Sequence, residues 1–134
     1  MTEYVIHLVG GADDESGVLT KSQSGEDFTL SFLVRGRAIE ATSSDFFAAL
    51  CEIRQVLAAD GLIPFCYGAS QNVYPSGMSR QMSGGVVAYQ LTLGKPNDAS
   101  TKRVNIFQAG PDVIPASVDS QQAFFRAWVA SLQA

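Results

Sequence analysis

The sequence predicts an α+β domain in which two helices cover one face of a mainly antiparallel, twisted sheet of about six strands. Apolar residues alternate with polar ones in several short stretches, as in strands, and recur at helical spacing in two longer stretches. Most connections between consecutive predicted strands are short, which favours antiparallel pairing. In chain order the elements form roughly two βββα halves. With 46% hydrophobic and 16% charged residues, a chain of 134 residues is most simply one globular domain, residues 1–134.

The first half contains the clearest strand of the chain. From Phe28 to Val34 every second residue is large and apolar, so one face of this stretch is predicted to be buried. Gly36 follows between two arginines and predicts a tight reversal, because glycine adopts the positive φ that two-residue hairpin loops require. The strands predicted in this half lie near residues 4–8, 18–22, 28–34 and 38–41.

The first helix is predicted near residues 43–60. Thr42 and Asp45 match a capping box, in which the threonine caps the helix and the acid reaches back. Gly61 is placed to end the helix in the left-handed conformation. The predicted apolar stripe consists of Phe46, Leu50, Ile53 and Leu57, and the residues predicted to face solvent are Glu52, Arg54 and Gln55.

The second half contains three further predicted strands and a final helix. The strands lie near residues 62–67, 86–93 and 103–108, and the helix lies near residues 118–132. Pro64 places the first of these strands at a sheet edge or makes it begin there, because proline has no N–H to donate to a neighbouring strand. The predicted core contains Phe32, Leu50, Ile53, Phe125 and Trp128.

The long connection from Gly68 to Gly85 contains no acidic residue and is the first candidate for a functional site. Met78 and Met82 are four residues apart, so one or two helical turns would present them together. Tyr74 and Arg80 are of the residue types most enriched in interface hot spots, and methionine adapts well to binding surfaces. In the alternative interpretation, the two methionines cover the open end of the core and Arg80 pairs with a nearby carboxylate.

The charges argue against nucleic-acid binding and favour a basic protein partner. The formal net charge is −4, whereas phosphate contacts need clustered lysine and arginine. Residues 1–67 hold ten acidic and four basic residues, and residues 68–134 hold three and five. Asp13, Asp14 and Glu15 are therefore predicted to attract a basic partner, although solvated loops also account for such a distribution.

The residue inventory favours a binding protein over an enzyme. His7 is the only histidine, so one chain cannot form a metal site that needs two imidazoles, and no glycine-rich phosphate-binding motif occurs. Cys51 and Cys66 are predicted to be buried free thiols. We therefore expect no cofactor. No signal peptide and no apolar run of about 20 residues are recognisable, so we expect a cytoplasmic protein without membrane association.

The pattern Tyr74-Pro-Ser-Gly-Met-Ser-Arg-Gln-Met82, followed by Tyr89-x-Leu-Thr-Leu-Gly94, resembles that of a small bacterial protein type rather than that of an enzyme family. In size, acidity and lack of catalytic residues the whole chain resembles the single-domain immunity proteins of bacterial toxin systems. The resemblance implies a cognate toxin as the partner, neutralised by occlusion of its active surface, and no chemistry of the protein's own. It assigns no role to any single residue.

Two other functions are kept as alternatives. The first is a small-molecule-binding or enzymatic domain with a pocket under the 68–85 segment, formed by Cys66, Tyr67, Tyr74 and Arg80. The second is a subunit of a homo-oligomer whose sheet edges pair. The sequence does not determine the oligomeric state.

Overall fold

The computed structural model, which describes residues 2–133, is an α+β fold with two antiparallel sheets and three α-helices. The predicted fold class is confirmed. Strands β1–β8 span Thr2–Val9, Ser16–Ser24, Asp27–Val34, Arg37–Ser43, Ile63–Pro64, Val73–Tyr74, Val87–Gln90 and Arg103–Asn105. Helices α1–α3 span Phe46–Ala58, Gly77–Met82 and Val118–Ser131.

The larger sheet has five strands in the order β4-β3-β2-β1-β5. Its first four strands are consecutive antiparallel neighbours, and their register places Leu19 opposite Phe32 and Phe32 opposite Ile39. These side chains lie on the buried face of the sheet. On the other face Val5 and Leu33 are 69% and 54% exposed. Only one face of this sheet therefore contributes to the core.

Helix α1 packs on the buried face of the larger sheet through its predicted apolar stripe, which includes Leu50 and Ile53. Asp45, and not Thr42, is the N-cap residue: its side chain accepts a hydrogen bond of 2.7 Å from Ala48 N. The helix consequently begins at Phe46, three residues later than predicted. Gly61 has a φ of 73°, as its predicted left-handed position requires.

The sequence predicts one sheet, but the structure has two, because β6, β7 and β8 form a separate, three-stranded sheet. The predicted strand over residues 62–67 contracts to Ile63–Pro64, which pairs with β1. Phe65 N donates one more hydrogen bond to β1, at 2.7 Å to His7 O, after which the chain leaves this strand. It then turns through a 3₁₀ turn at Tyr67–Ala69 and enters the second sheet.

Helix α3 lies where it was predicted but is less buried than expected. Phe32, Leu50 and Ile53 are core residues as predicted, whereas Phe125 and Trp128 are only half-buried. The buried residues of α3 are Val118 and Gln121, near its N-terminus. The apolar stripe of α3 thus lies at the edge of the core. None of the helices within residues 2–133 is long and apolar enough to cross a membrane.

Candidate functional site

The 68–85 segment presents a short helix, α2, at the surface. Ser76 caps α2 by accepting a hydrogen bond of 3.0 Å from Ser79 N. After the helix, Gly84 O accepts a hydrogen bond of 2.7 Å from Phe46 N, the first residue of α1. Hydrogen bonds therefore cap the start of α2 and connect the residues after its end to α1.

Two methionines project from α2 into solvent. Met78 is 69% exposed and Met82 is 81% exposed. The alternative interpretation of this segment, in which the two methionines cover the open end of the core, is therefore wrong for these side chains. Methionine is usually buried, so two such side chains one helical turn apart form an unusual exposed apolar feature.

Arg80 anchors α2 to the start of α1. Its Nη1 donates to Asp45 Oδ2 at 3.0 Å, and Asp45 is the nearly buried N-cap residue of α1. The guanidinium carbon also lies 5.0 Å from the ring centroid of Phe47 and 5.6 Å from that of Tyr74. Arg80 therefore pairs with a nearby carboxylate, and about one third of its side chain remains exposed. Its main role in the free protein is to hold α2 in place.

A series of aromatic rings leads from Arg80 toward α3. Phe47 and Tyr74 have ring centroids 5.1 Å apart, and Tyr74 stacks on Phe125 at 4.1 Å. Trp128 follows at 6.0 Å from Phe125, and its indole N–H donates to Lys95 O at 2.9 Å. We call the half-buried and exposed side chains of this area the methionine–aromatic surface. It consists of Tyr74, Met78, Arg80, Met82, Phe125 and Trp128.

The predicted acidic site residues lie far from this surface. Asp13, Asp14 and Glu15 lie in the turn before β2. Glu26 and Asp27 lie in the turn after β2, where β3 begins. The two turns therefore lie at opposite ends of the sheet. Nine residues of β2 separate them by about 25 Å. The Glu26–Asp27 turn lies near α2, because it lines a groove of about 740 Å³ that Arg80 also lines.

Glu15 is further distinguished from its neighbours by an ion pair. Arg35 donates to both of its carboxylate oxygens, at 2.7 and 2.9 Å, and this hydrogen bonding lowers the pKa of Glu15. A paired carboxylate attracts a distant cation less strongly than a free one. The structure brings Tyr74 and Arg80 into contact. It places the two methionines two residues to either side of Arg80, on the opposite face of α2. Asp13, Asp14 and Glu15 lie at the far end of the sheet.

The four residues predicted to form a pocket under the segment have separate partners. Cys66 is fully buried, and burial raises the pKa of its thiol to about 11. Tyr67 donates from its hydroxyl to Asp112 Oδ1 at 2.6 Å, whereas Arg80 pairs with Asp45 and Tyr74 stacks on Phe125. Tyr67, Tyr74 and Arg80 are thus each engaged by a different part of the fold.

Asp112 is the centre of a polar cluster, and we expect its contribution to stability to depend on pH. Hydrogen bonds from Lys102, Tyr67 and Gln90 hold the pKa of its carboxyl well below the usual 3.8. A carboxyl whose pKa is lowered by folding stabilises the fold above its unfolded pKa, and this stabilisation is lost as the pH falls through the folded pKa. Asp112→Asn should therefore lower the thermal midpoint at about pH 7, and this difference from the parent should begin to shrink as the pH falls below about 4.

The measurement is a thermal unfolding series of parent and Asp112→Asn across this pH range. Asp13→Asn, at an exposed turn position, is the control for a general effect of removing one negative charge. A midpoint difference for Asp112→Asn that stays constant from neutral to acid pH would show that the carboxylate is not stabilised by its neighbours.

Arg54 is buried, which the sequence analysis does not predict. Arg54 was expected to face solvent but is only 3% exposed. Its Nη1 donates to Gln121 Oε1 at 2.6 Å and to Gly68 O at 3.1 Å, and its Nη2 donates to Ala116 O at 2.9 Å. Burial lowers the pKa of its guanidinium. The available signal was its helical spacing, because Arg54 lies four residues after Leu50 and three before Leu57, on the buried face.

Gln121 completes this network and holds the beginning of the 68–85 segment. It is fully buried, and its Nε2 lies 2.9–3.0 Å from the carbonyl oxygens of Gly68, Ser70 and Val73. Arg54 and Gln121 therefore connect α1, α3 and the chain that leads to α2. Within residues 2–133, no cluster of three or more histidine, cysteine or acidic residues could hold a metal ion.

Comparison with protein-family models gives no match for this chain. A search of curated proteins gives no significant match either.

Proposed function

We propose that this protein acts by binding another protein through the methionine–aromatic surface. The observation that carries the proposal is the exposure of Met78 and Met82, 69% and 81%, on one face of α2. Exposed apolar side chains cost solvation free energy in the free protein, and a partner that covers them recovers it.

The geometry of the surface supports binding because α2 is held in place before any partner arrives. The Arg80–Asp45 ion pair and the Phe46 N–Gly84 O hydrogen bond restrict the helix. Preorganisation lowers the entropy cost of association, so more of the contact free energy appears as affinity. Tyr74 and Trp128 add half-exposed aromatic rings on the Arg80 side of α2, and such rings are frequent hot-spot residues.

The partner we propose is a basic toxin domain, and the protein would then be an immunity protein of the cytoplasm. The resemblance in the sequence and its acidic first half support this assignment. Glu26 and Asp27 lie beside the groove next to α2 and would act as rim charges that speed the encounter. Asp13 and Asp14, at the other end of the sheet, would act only at a distance. The free thiols of Cys51 and Cys66 fit a reducing compartment.

The combined variant Met78→Gln/Met82→Gln tests this proposal. Glutamine retains the length and helix propensity of methionine, so the fold should not change. We expect dissociation from the partner to become about ten- to a hundredfold faster, since the loss of hot-spot contacts worth about 1.4–2.8 kcal/mol appears mainly in the dissociation rate. The measurement is binding kinetics on an immobilised candidate partner, a basic toxin domain encoded next to the gene if the genome holds one there.

Val5→Gln is the matched control, because Val5 is equally exposed but lies on the open face of the five-stranded sheet. It should bind the partner with the parent's rate constants. Equal dissociation rates for the parent and the methionine variant would show that α2 is not the binding surface.

A further inference from the structure

A second candidate site lies away from the methionine–aromatic surface. A cavity of about 310 Å³ is formed where the end of α1, strand β5 and the first turn of α3 meet. Most of its walls are apolar, and the apolar lining residues include Ala58, Leu62, Ile63 and Val118. This volume is at the lower end of the range of volumes found for small-molecule sites, so the cavity suits a ligand with a compact apolar body.

Arg54 also lines this cavity and has an unused hydrogen-bond donor. Its Nη1 has two oxygen acceptors and its Nη2 has one, but its buried Nε has none. No carboxylate forms an ion pair with Arg54 within residues 2–133. Nε and Nη2 form one edge of the guanidinium plane, and a carboxylate binds such an edge side-on through two hydrogen bonds.

The N-terminus of α3 contributes a second positive feature to the same cavity. Ser117 accepts a hydrogen bond of 3.1 Å from Ser120 N, and Ser117, Val118 and Asp119 line the cavity. The first N–H groups of a helix have no partner within the helix, and its dipole is positive at this end. The side chain of Asp119 opposes an anion, but Asp119 is exposed at the surface.

We infer that this cavity binds a small monocarboxylate, with its apolar body against the cavity walls and its carboxylate directed to Arg54 and the first turn of α3. A buried guanidinium that has only neutral acceptors gains most from an anionic ligand, because desolvation of its charge is then compensated. Nε is enclosed by protein atoms, so the ligand must displace wall side chains to reach it. This site is separate from the proposed protein-binding surface.

The probe is 3-phenylpropanoate, titrated into ¹⁵N-labelled protein and followed by NMR, with neutral 3-phenylpropanamide as the matched ligand. We expect the acid to shift the backbone amide signals of Val118 and Asp119 and the Nε–H signal of Arg54. We expect the amide to bind at least about tenfold more weakly, because it lacks the charge that Arg54 recognises. Equal affinity of acid and amide, or no shift of these signals, would overturn the inference.

Two variants of the protein test the shape of the cavity and the charge beside it separately. Ala58→Phe, at an exposed position of the wall, should block the cavity and abolish the shifts without unfolding the protein. Asp119→Asn should strengthen binding of the acid about severalfold at low salt, because it removes a repelling charge. Glu3→Gln removes one negative charge at the exposed end of β1 that lies away from β5 and should have no effect. Weaker binding by Asp119→Asn, or unchanged binding by Ala58→Phe, would contradict the assignment.

Discussion

Replacing Gln121 by leucine is expected to lower the free energy of unfolding by about 3–5 kcal/mol. Leucine has a similar volume but removes the amide that binds the carbonyl oxygens of Gly68, Ser70 and Val73. It also removes the oxygen that accepts from Arg54 at 2.6 Å. Gly68 O would keep its hydrogen bond from Arg54 Nη1 and Ser70 O would keep that from Val73 N. The expected loss therefore comes mainly from the bond to the charged Arg54, about 1.5–3 kcal/mol, and from weaker satisfaction of the buried carbonyls, about 1–3 kcal/mol. Urea denaturation, analysed by linear extrapolation, measures the change.

Gln122→Leu is the control for this variant, because it makes the same change at the neighbouring, partly exposed position of α3. Its free energy of unfolding should stay within about 0.5 kcal/mol of the parent value. The double variant Arg54→Leu/Gln121→Leu should lose less than the sum of the two single variants, since both members of one network are removed together. If Gln121→Leu is as stable as Gln122→Leu, the buried network does not exist.

Gly68→Ala is expected to lower the free energy of unfolding by about 2–3 kcal/mol. A methyl group on Gly68 would lie 2.5 Å from Leu50 Cδ2 and 2.9 Å from the carbonyl oxygen of Ile106. The backbone cannot move away easily, because Gly68 N donates to that same oxygen at 2.9 Å. Thermal and urea denaturation both measure the loss. The physical reason is close contact between the 3₁₀ turn, α1 and the chain after β8.

Gly77→Ala is the matched control in the same segment. A methyl group on Gly77 would meet no atom within 4 Å, and Gly77 is the first residue of α2. Alanine favours helix, so stability should be unchanged or higher by up to about 1 kcal/mol. Equal stability of the Gly68 and Gly77 variants would mean that the segment is not packed against α1 as described.

The elements that the sequence determined are those with a strong local pattern. Helices predicted near residues 43–60 and 118–132 are observed as Phe46–Ala58 and Val118–Ser131. The predicted reversal at Gly36 occurs, with a φ of 75°. The α+β class and antiparallel pairing also follow from local signals. Hydrophobic periodicity and turn residues act over a few positions, so the sequence displays them directly.

The features that only the tertiary structure decided depend on contacts between distant parts of the chain. Arg54 has the same helical periodicity as its apolar neighbours, but its burial requires Gln121, which lies 67 residues away. The separation of the strands into two sheets depends on where the chain turns after Pro64. The exposure of Met78 and Met82, and the distance of the Asp13–Glu15 turn from them, follow from how α2 and the sheet are placed. No local pattern encodes such placements, because burial is a property of the assembled core.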